Sequence, residues 1–385
     1  MKNYIFYSFL FFLSTIMYAA PNSQPKWYSS ENGKTQLNVE VFLSTTCPHC
    51  QKAQIFFDNI ASTNPQFKIK YHFINKDKEA LEQFNRLLSA QGTYDFAVPS
   101  IYFCNSRWVG FDSPQTTGKE LLRGLNYCLE QVQKEQILSG ATVKVLQQWG
   151  NANKFNSGMH EKPSPINYLV TLAITDAVSP CAFFVLSVFL CLLIISPPGK
   201  ILQTGGIFLF AVTLMHYIQQ VHDALFYQAL PWFWIPAGLT GFAIFYFGSL
   251  YYQHRPIPKS AYTALAFACG LMIMSYQQTC AMNWSNIYQQ WLLNQNYSAL
   301  KNLMYQLLYH VIYLVPLVFL LIIFSIFFRS EKRALWFSAW QNAAWTLLII
   351  CGLILIVYPA FFTSKIVSTL LLTLFLFGGR FLNRT

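Results

Sequence analysis

Four cysteines of this chain stand where their thiols could exchange disulfides. Two of them belong to Cys47-Pro48-His49-Cys50, which follows a β-rich run and precedes a helical run. Pro48 suits the first helical position, because the N–H that proline lacks has no partner there. Cys47 is then expected at the helix N-terminus, where free N–H groups and the helix dipole stabilise a thiolate and His49 can add positive charge. Cys50, one turn on, can close a disulfide with Cys47 and release a bound partner.

A structural disulfide and half of a zinc site are the alternatives for this pair. A structural zinc ion takes four Cys or His ligands, and no second Cys-x-x-Cys or His pair lies near Cys47 in this part of the sequence. We therefore favour redox activity and predict no metal. Thiol–disulfide exchange proceeds through mixed disulfides, so we also predict no bound cofactor.

The other two cysteines lie in apolar sequence. Asp176, Pro180 and Cys181 fall within six residues of one apolar run. A carboxylate inside a membrane is costly unless it lines a cavity, and Pro180 interrupts the helical hydrogen bonds. Cys181 is therefore a candidate thiol at a helix break with access to water. Cys280 follows a polar cluster, 275–279, and is a weaker candidate.

The remaining cysteines and several polar residues have plainer interpretations. Cys104 and Cys128 could form a structural disulfide or remain two buried free thiols, since sequence does not give the distance between them. Packing thiols are predicted in the apolar runs, at Cys191, Cys269 and Cys351. Three further residues could be metal ligands, but we favour their interpretation as polar groups near an outer loop: His216, His222 and Asp223.

Composition divides the chain into two parts. Of its 385 residues 54% are hydrophobic and only 11% are charged, against about 25% in ordinary globular proteins, which excludes an ordinary soluble enzyme. Residues 1–164 contain 16 Lys/Arg and 12 Asp/Glu, whereas residues 165–385 contain 10 and 3. The second part is therefore predicted to be membrane-embedded. Its positive charges are scattered singly, so we attribute them to membrane topology and predict no nucleic-acid partner.

The first twenty residues have the pattern of a targeting segment. Lys2 precedes an apolar stretch, 5–17, and the small residues Ala19 and Ala20 follow. Residues 1–20 are therefore predicted to be a cleaved signal peptide or an N-terminal anchor. Either one sends the next residues out of the cytosol, where disulfides persist.

Seven predicted elements position the first cysteine pair in the order β-α-β-α-β-β-α. The strands are predicted at 37–43, 67–74, 98–103 and 107–111, and the helices at 48–60, 76–91 and 117–136. Cys-x-x-Cys at the first strand-to-helix turn is typical of a redox motif in such an α/β domain.

Residues 35–137 resemble the thioredoxin and glutaredoxin family in this order, in Thr46 to Cys50 and in Val98-Pro99. The resemblance implies an α/β thioredoxin-like domain. It also implies that Pro99 is cis and faces the dithiol, where its backbone binds a substrate segment. A trans proline at a strand edge or turn is the alternative.

A polar segment, 138–165, is predicted to be a flexible linker. Six apolar runs long enough to cross about 30 Å of hydrocarbon follow, at 166–195, 205–225, 234–252, 261–280, 304–328 and 336–358. A shorter run, 366–377, could be a seventh span. Six Lys or Arg in the alternate loops assigned to the cytosol, against two outside, place the N-terminal domain outside the cell membrane.

Residues 166–379 resemble the membrane domain shared by the thiol:disulfide interchange protein DsbD and the cytochrome c biogenesis protein CcdA. The resemblance lies in Asp176 through Phe183 and in 308–317. It implies that Cys181 and Cys280 are the redox pair that carries electrons across the bilayer. The chain departs from the family around Cys280, where Thr279 and Ala281 replace the usual Pro and Gly. Pairing the two cysteines also requires a broken or re-entrant helix.

Together these patterns predict a bacterial inner-membrane thiol–disulfide oxidoreductase with its thioredoxin-like domain in the periplasm. Cytosolic thioredoxin is the expected electron donor, and the acceptors are disulfides of exported proteins, including those of cytochrome c maturation. One alternative is a periplasmic thiol oxidant or isomerase, since Cys-Pro-His-Cys is also the active-site sequence of strongly oxidising DsbA-type proteins. The other is a thioredoxin-like binding module that the spans merely anchor.

Overall fold

A computed structural model describes residues 26–31, 34–158, 163–280, 282–327 and 338–381. The predicted targeting segment, 1–20, lies outside the described residues. The described part combines an N-terminal α/β region with a helical C-terminal region, which is the mixed fold class expected from composition.

The N-terminal region is built around a mixed five-stranded sheet. Its strands are β1 (Tyr28–Glu31), β2 (Lys34–Leu43), β3 (Phe67–Phe73), β4 (Ser100–Phe103) and β5 (Ser106–Val109). Strand β2 pairs in parallel with β3 along one edge. Along its other edge it pairs antiparallel with β1 and then with β4, which in turn pairs antiparallel with β5.

Three helices connect and cover these strands: α1 (Pro48–Thr63), α2 (Lys78–Ala90) and α3 (Lys119–Glu135). From β2 to α3 the order is the β-α-β-α-β-β-α predicted from sequence. Local signals set the boundaries. The Asp77 carboxylate caps α2 by accepting the Glu79 N–H at 2.9 Å. Cys104 and Asn105 both have positive φ, as a two-residue hairpin turn between β4 and β5 requires.

Alternation along β2 buries both faces of the sheet. One face carries Leu37, Val39, Val41 and Leu43, which pack with residues of α1 and α3, whereas Phe42 packs on the other face with Phe84 of α2. Successive side chains of a strand point to opposite faces, so an all-apolar run such as Val41 to Leu43 predicts cover on both sides.

A helix, α4 (Gly140–Ser157), occupies the segment for which the sequence predicts a flexible linker. The Asn153 side chain donates to the Val109 carbonyl of β5 at 3.0 Å, and the Ser157 hydroxyl donates to the same oxygen at 3.2 Å. Gly150 lies against β5 so closely that a Cβ there would stand 2.5 Å from the Arg107 carbonyl oxygen. Periodicity fails to predict this helix because amide and hydroxyl groups, rather than apolar side chains, make many of its buried contacts.

The C-terminal region is helical. Its helices are α5 (Pro165–Ala177), α6 (Phe183–Ile195), α7 (Ile201–Val221), α8 (Asp223–Ala229), α9 (Trp234–Tyr252), α10 (Lys259–Gln277), α11 (Trp284–Leu293), α12 (Ala299–Phe327), α13 (Ser338–Val357) and α14 (Lys365–Phe381). Helices α9 and α13 pack closely at Gly241, where a Cβ would stand 2.5 Å from the Gly352 carbonyl oxygen. Small residues permit such close approach between membrane helices.

Four helical segments among the described residues are long and apolar enough to cross a membrane: Pro198–Val221, Asp223–Tyr252, Ala299–Phe327 and Trp340–Val357. A fifth is formed if the bent pair Pro165–Ala177 and Pro180–Ile195 is one broken span. These segments indicate a membrane protein. The predicted fourth and seventh runs form α10 and α14, which are less apolar or shorter, so the count of six or seven spans remains a prediction.

Candidate functional site

Cys47 caps the N-terminus of α1. Its backbone is extended, and Pro48 follows at the start of the helix. The Cys47 Sγ atom accepts a hydrogen bond from the Cys50 N–H at 3.2 Å, which satisfies one of the free donors of the first turn. The sulfur therefore lies at the positive end of the helix dipole.

Cys50 lies in a different environment from Cys47. It is 1% exposed, and its Sγ atom accepts the Ser44 N–H at 3.5 Å. Burial, followed by the hydrogen bond with Cys47, raises the pKa of the Cys50 thiol from 9.0 to about 12. Cys50 is thus protonated at neutral pH, whereas Cys47 is only partly buried. The two thiols therefore differ in exposure, and Cys47 is the more accessible of the pair.

The Val98–Pro99 peptide bond is cis and faces this dithiol. The Cys47 thiol lies 3.8 Å from the Val98 carbonyl oxygen, to which it donates. His49 is exposed, and its Nδ1 donates to the Phe111 carbonyl at 2.8 Å. The Cys47–Cys50 turn therefore meets two other segments of the chain, at Pro99 and at Phe111.

Cys104 and Cys128 form a disulfide between the β4–β5 turn and α3, with Cα atoms 6.6 Å apart. Both residues are fully buried, so the bond belongs to the core of the α/β region. Cys191, Cys269 and Cys351 are fully buried free thiols within apolar helices, and this location agrees with a packing role.

A second disulfide joins Cys181 to Cys280, with Cα atoms 6.8 Å apart. Cys181 lies in a 3₁₀ turn, Pro180–Ala182, between α5 and α6, which are bent by 47° at this break. The Ser368 hydroxyl donates to the Pro180 carbonyl at 2.5 Å. Helix α14 thus supplies a hydrogen bond where the helical backbone hydrogen bonds are interrupted. The break between α5 and α6 is the broken helix that we expected the Cys181–Cys280 pairing to need.

Cys280 lies in the turn between α10 and α11, and polar contacts fix that turn. The Gln278 carbonyl accepts the Tyr227 hydroxyl at 3.1 Å and the Asn283 side-chain amide at 2.8 Å. The Cys280 carbonyl accepts the Gln148 side-chain amide of α4 at 2.8 Å. Helix α4 therefore binds the backbone of a cysteine in the second disulfide.

Asp176, which precedes the broken turn, is buried in a polar group of its own. Its Oδ2 atom accepts hydrogen bonds from His216 Nε2 and from the Tyr309 hydroxyl, each at 3.0 Å. His216 is 0% exposed, so it is buried among the helices, and its sequence interpretation as a polar group near an outer loop stays a prediction. The preference for no metal site at His216 stays a prediction. Within the described ranges no cluster of three or more His, Cys, Asp or Glu side chains has a metal-binding arrangement.

A partly buried polar cluster joins the α/β region to the membrane helices. Arg123 of α3 lies over the Trp149 ring of α4 at 3.7 Å and contacts the Glu120 carboxylate at 3.1 Å and that of Asp223, at the start of α8, at 3.7 Å. The Trp149 indole N–H donates to Asp223. Burial raises the pKa of Glu120, and the Arg123 charge opposes that rise. The cluster, with Gln290 of α11 beside Glu120, holds the two regions in contact.

Arg123→Ala is expected to weaken this contact. The substitution leaves the carboxylates of Glu120 and Asp223 without their cation, which costs about 2 kcal/mol at a partly exposed site, or roughly a 30-fold rise in the opening equilibrium. Hydrogen exchange of the α4 amides in the purified full chain should accelerate accordingly. Arg86→Ala, which removes an exposed cation on α2, is the matched control. Unchanged α4 exchange in the Arg123 variant contradicts the role given to the cluster.

Comparison of the chain with protein-family models, with curated proteins and with solved structures gives no match. The class of protein is therefore defined here by the features of the described residues themselves. They form a membrane protein whose N-terminal α/β region carries a Cys-x-x-Cys turn beside a cis-proline and whose helical region carries a second cysteine pair at a helix break.

Proposed function

We propose that this protein is a membrane thiol–disulfide oxidoreductase that passes reducing equivalents from cytosolic thioredoxin to disulfides of exported proteins. Electrons enter at the Cys181–Cys280 disulfide and leave through Cys47 and Cys50. The proposal places the helical region in the bacterial inner membrane and the α/β region, as a thioredoxin-like domain, in the periplasm.

The observation that carries the proposal is that one helix, α4, contacts the backbone of Cys280 and also the loop that leads to Pro99 beside the dithiol. Gln148 of α4 binds the Cys280 carbonyl. Lys154, two turns further on, pairs with Asp95 at 2.5 Å in the loop before Pro99. The Lys154 hydrogen bond, aided by Arg107, holds the pKa of Asp95 below its ordinary value, so this contact is an ion pair at neutral pH. A merely anchored module has no need for such a connection.

The exchange steps require only thiols. A thiolate of the reduced membrane pair attacks an oxidised Cys47–Cys50 disulfide, and the electron pair of the broken S–S bond leaves on the other sulfur, which takes up a proton. The second membrane thiol then attacks the mixed disulfide, so that two electrons and two protons have moved outward. Reduced Cys47 next attacks a substrate disulfide, and Cys50 releases the product by the same sequence.

The arrangement of charges supports the proposed orientation. Helix α7 ends at Val221, beside the Asp223 that contacts Arg123 of the α/β region. Its 21 residues span about 30 Å, so Lys200 lies at the far end. Two further cations lie at that same end: Arg255 follows α9, and Lys259 begins α10. Cationic loops are retained in the cytosol, which favours an external α/β region.

Thiol trapping in growing cells tests this function. The redox state of Cys47 and Cys50 is measured by alkylation before and after depletion of the cytosolic thioredoxin system. We expect a reduced pair that becomes oxidised on depletion, because the proposed electron source has been removed. A pair that stays oxidised under both conditions overturns the reductase proposal and favours a periplasmic oxidant. A pair that stays reduced under both favours a module anchored by its spans.

A further inference from the structure

The polar group around Asp176 has no part in the exchange steps above. It combines Asp176 of α5 and His216 of α7 with Tyr309 and His310 of α12. All four side chains are buried, and the exposed fractions of Asp176 and His216 are 3% and 0%. A carboxylate and an imidazole in an apolar helical bundle are costly to retain, so their presence at this depth points to a function.

The geometry of the group fixes where a proton can be held. A carboxylate oxygen accepts, so the hydrogen bond from His216 to Asp176 puts a proton on Nε2 of the imidazole. The Tyr309 hydroxyl donates to the same oxygen. The other ring nitrogen of His216, Nδ1, is buried and has no hydrogen-bond partner among the described residues. Nδ1 is thus free to take up or release a proton, while the carboxylate orients the ring and stabilises its charged form.

The group lies near the turn that carries Cys181. Asp176 is in the last turn of α5, and an extended five-residue segment from it to Cys181 would span at most about 18 Å. Two turn hydrogen bonds shorten that path, from Ser179 N to the Asp176 carbonyl at 3.3 Å and from Ala182 N to the Ser179 carbonyl at 2.9 Å. The broken turn and the ring group therefore lie close together.

A cavity of about 240 Å³ lies beside residues that neighbour the two features. Its walls include Ala177 and Ala182 at the helix break and Tyr313 of α12. The Tyr313 ring stacks on His216 with ring centres 4.5 Å apart. Ala182, the neighbour of Cys181, and the ring that stacks on His216 thus border one space.

We propose that Asp176, His216 and Tyr309 form a proton-transfer site that serves the reduction of the Cys181–Cys280 disulfide. His216 carries the proton, and Asp176 and Tyr309 are positioning residues. This inference deepens the proposed function and rests on it only in assuming that this disulfide exchanges with thiols.

The proton balance of the reduction explains the need for such a site. A donor thiolate attacks one sulfur of the pair, the S–S bond breaks, and its electron pair leaves on the other sulfur. The protonated His216 gives its proton to that thiolate and regains one from the second thiol of the donor. That second thiol, now a thiolate, attacks the mixed disulfide and releases the first cysteine, which takes up the returned proton. His216 then regains from water the proton that the first donor thiol released when it ionised, so two electrons and two protons have moved from the donor dithiol to the cysteine pair.

Titratable groups surround Asp176 and His216. The rings of Tyr309, Tyr313 and His310 on α12 contact His216, while Tyr217 of α7 contacts His310 and Tyr288 of α11 contacts Tyr309. Tyrosine ordinarily titrates near pH 10, whereas histidine ordinarily titrates between about pH 5 and 8. The imidazoles of His216 and His310 are therefore the groups that the pH dependence has to separate.

Reduction of the purified full chain by dithiothreitol tests the proposal. The rate of loss of the Cys181–Cys280 disulfide is followed between about pH 5.5 and 8.5 by alkylation and peptide mass spectrometry. The ratio of wild-type to variant rates at each pH removes the ionisation of the reagent itself. For His216→Gln we expect a ratio of roughly 100 near pH 6 that falls towards one as the pH rises, because an imidazole without its extra proton cannot supply one. Asp176→Asn and Tyr309→Phe should show the same trend with about 10-fold effects.

Tyr313→Phe is the matched control, because this ring also stacks on His216 but its hydroxyl lies 3.9 Å from the Met274 sulfur. Its ratio should be near one at every pH. A constant ratio across pH for the His216, Asp176 and Tyr309 variants overturns the proposal and leaves the group a support for helix packing. A falling ratio for His310→Gln alone also overturns it. If Asp176→Asn does not fold, Tyr309→Phe still tests the proposal, because it removes only one hydroxyl.

The two proposals can fail separately. The dithiothreitol experiment does not depend on thioredoxin, so the predicted pH trend can be found even if cells never reduce Cys47 through Cys181. Conversely, electron transfer in cells with a flat pH ratio leaves the proposed function intact and removes the proton-transfer site.

Discussion

Replacing Cys181 with alanine will leave Cys47 and Cys50 oxidised in growing cells, in which the unaltered protein holds them mostly reduced. The reason is that Cys181 and Cys280 form the only disulfide that the structure describes in the helical region, and a single remaining thiol there cannot pass on an electron pair by exchange. Because the step is lost rather than slowed, this effect is among the largest we expect. Alkylation of acid-quenched cells with a mass-shifting maleimide measures it directly.

Cys191→Ala is the control for this substitution. Cys191 lies on α6, directly after the broken turn that carries Cys181, and it is a fully buried free thiol. The control should accumulate normally and keep Cys47 and Cys50 reduced. If the Cys181 variant also keeps them reduced, the helical region is not a relay, and the protein is an anchored thiol module.

Substitutions of Cys47 and Cys50 should have opposite effects on partner capture. Cys50→Ser is expected to accumulate mixed disulfides between Cys47 and exported proteins, because the resolving thiol is missing. Cys47→Ser should capture none, since Cys50 is 1% exposed and burial raises its pKa to about 12. Non-reducing electrophoresis followed by mass spectrometry identifies the captured partners.

Alkylation kinetics test the cause of that asymmetry in the full chain. At pH 8 a thiol with a pKa of about 12 has a thiolate fraction roughly a thousandfold below that of an ordinary thiol with a pKa of 9.0. Cys50 of the Cys47→Ser variant should therefore react with iodoacetamide about a thousandfold more slowly than a free peptide cysteine, and the deficit should shrink as pH rises towards 12. Burial is the main cause and survives loss of the Cys47 hydrogen bond. Reaction at the peptide rate contradicts this assignment of the two thiols.

Local chemistry made the first site predictable. A proline at the first helical position, a β-rich run before it and a second cysteine one turn later are short-range features, and each acts within a few residues. For the same reason the order of elements from β2 to α3 and the locations of the apolar helices follow from alternation and run length.

Helix α4 could not be predicted from such short-range features. Its buried contacts come from Gln148, Asn153 and Ser157, whose partners are carbonyl oxygens of Cys280 and Val109. Amides that bond to a distant backbone look, in sequence, like the polar composition of a linker. The same holds for Arg123, which becomes a docking residue only because α4 and α8 bring Trp149 and Asp223 to it.

The sequence by itself determined which residues could do chemistry: the Cys47–Cys50 turn, the broken segment with Asp176 and Cys181, and the apolar runs that carry them. Only the tertiary structure decided which of these residues meet. Asp176 lies 40 residues from His216 and 133 from Tyr309, and Cys181 lies 99 from Cys280. Periodicity identifies the buried face of a single helix, but contacts at such separations are fixed by how several helices pack against one another, and that packing depends on all of their surfaces at once.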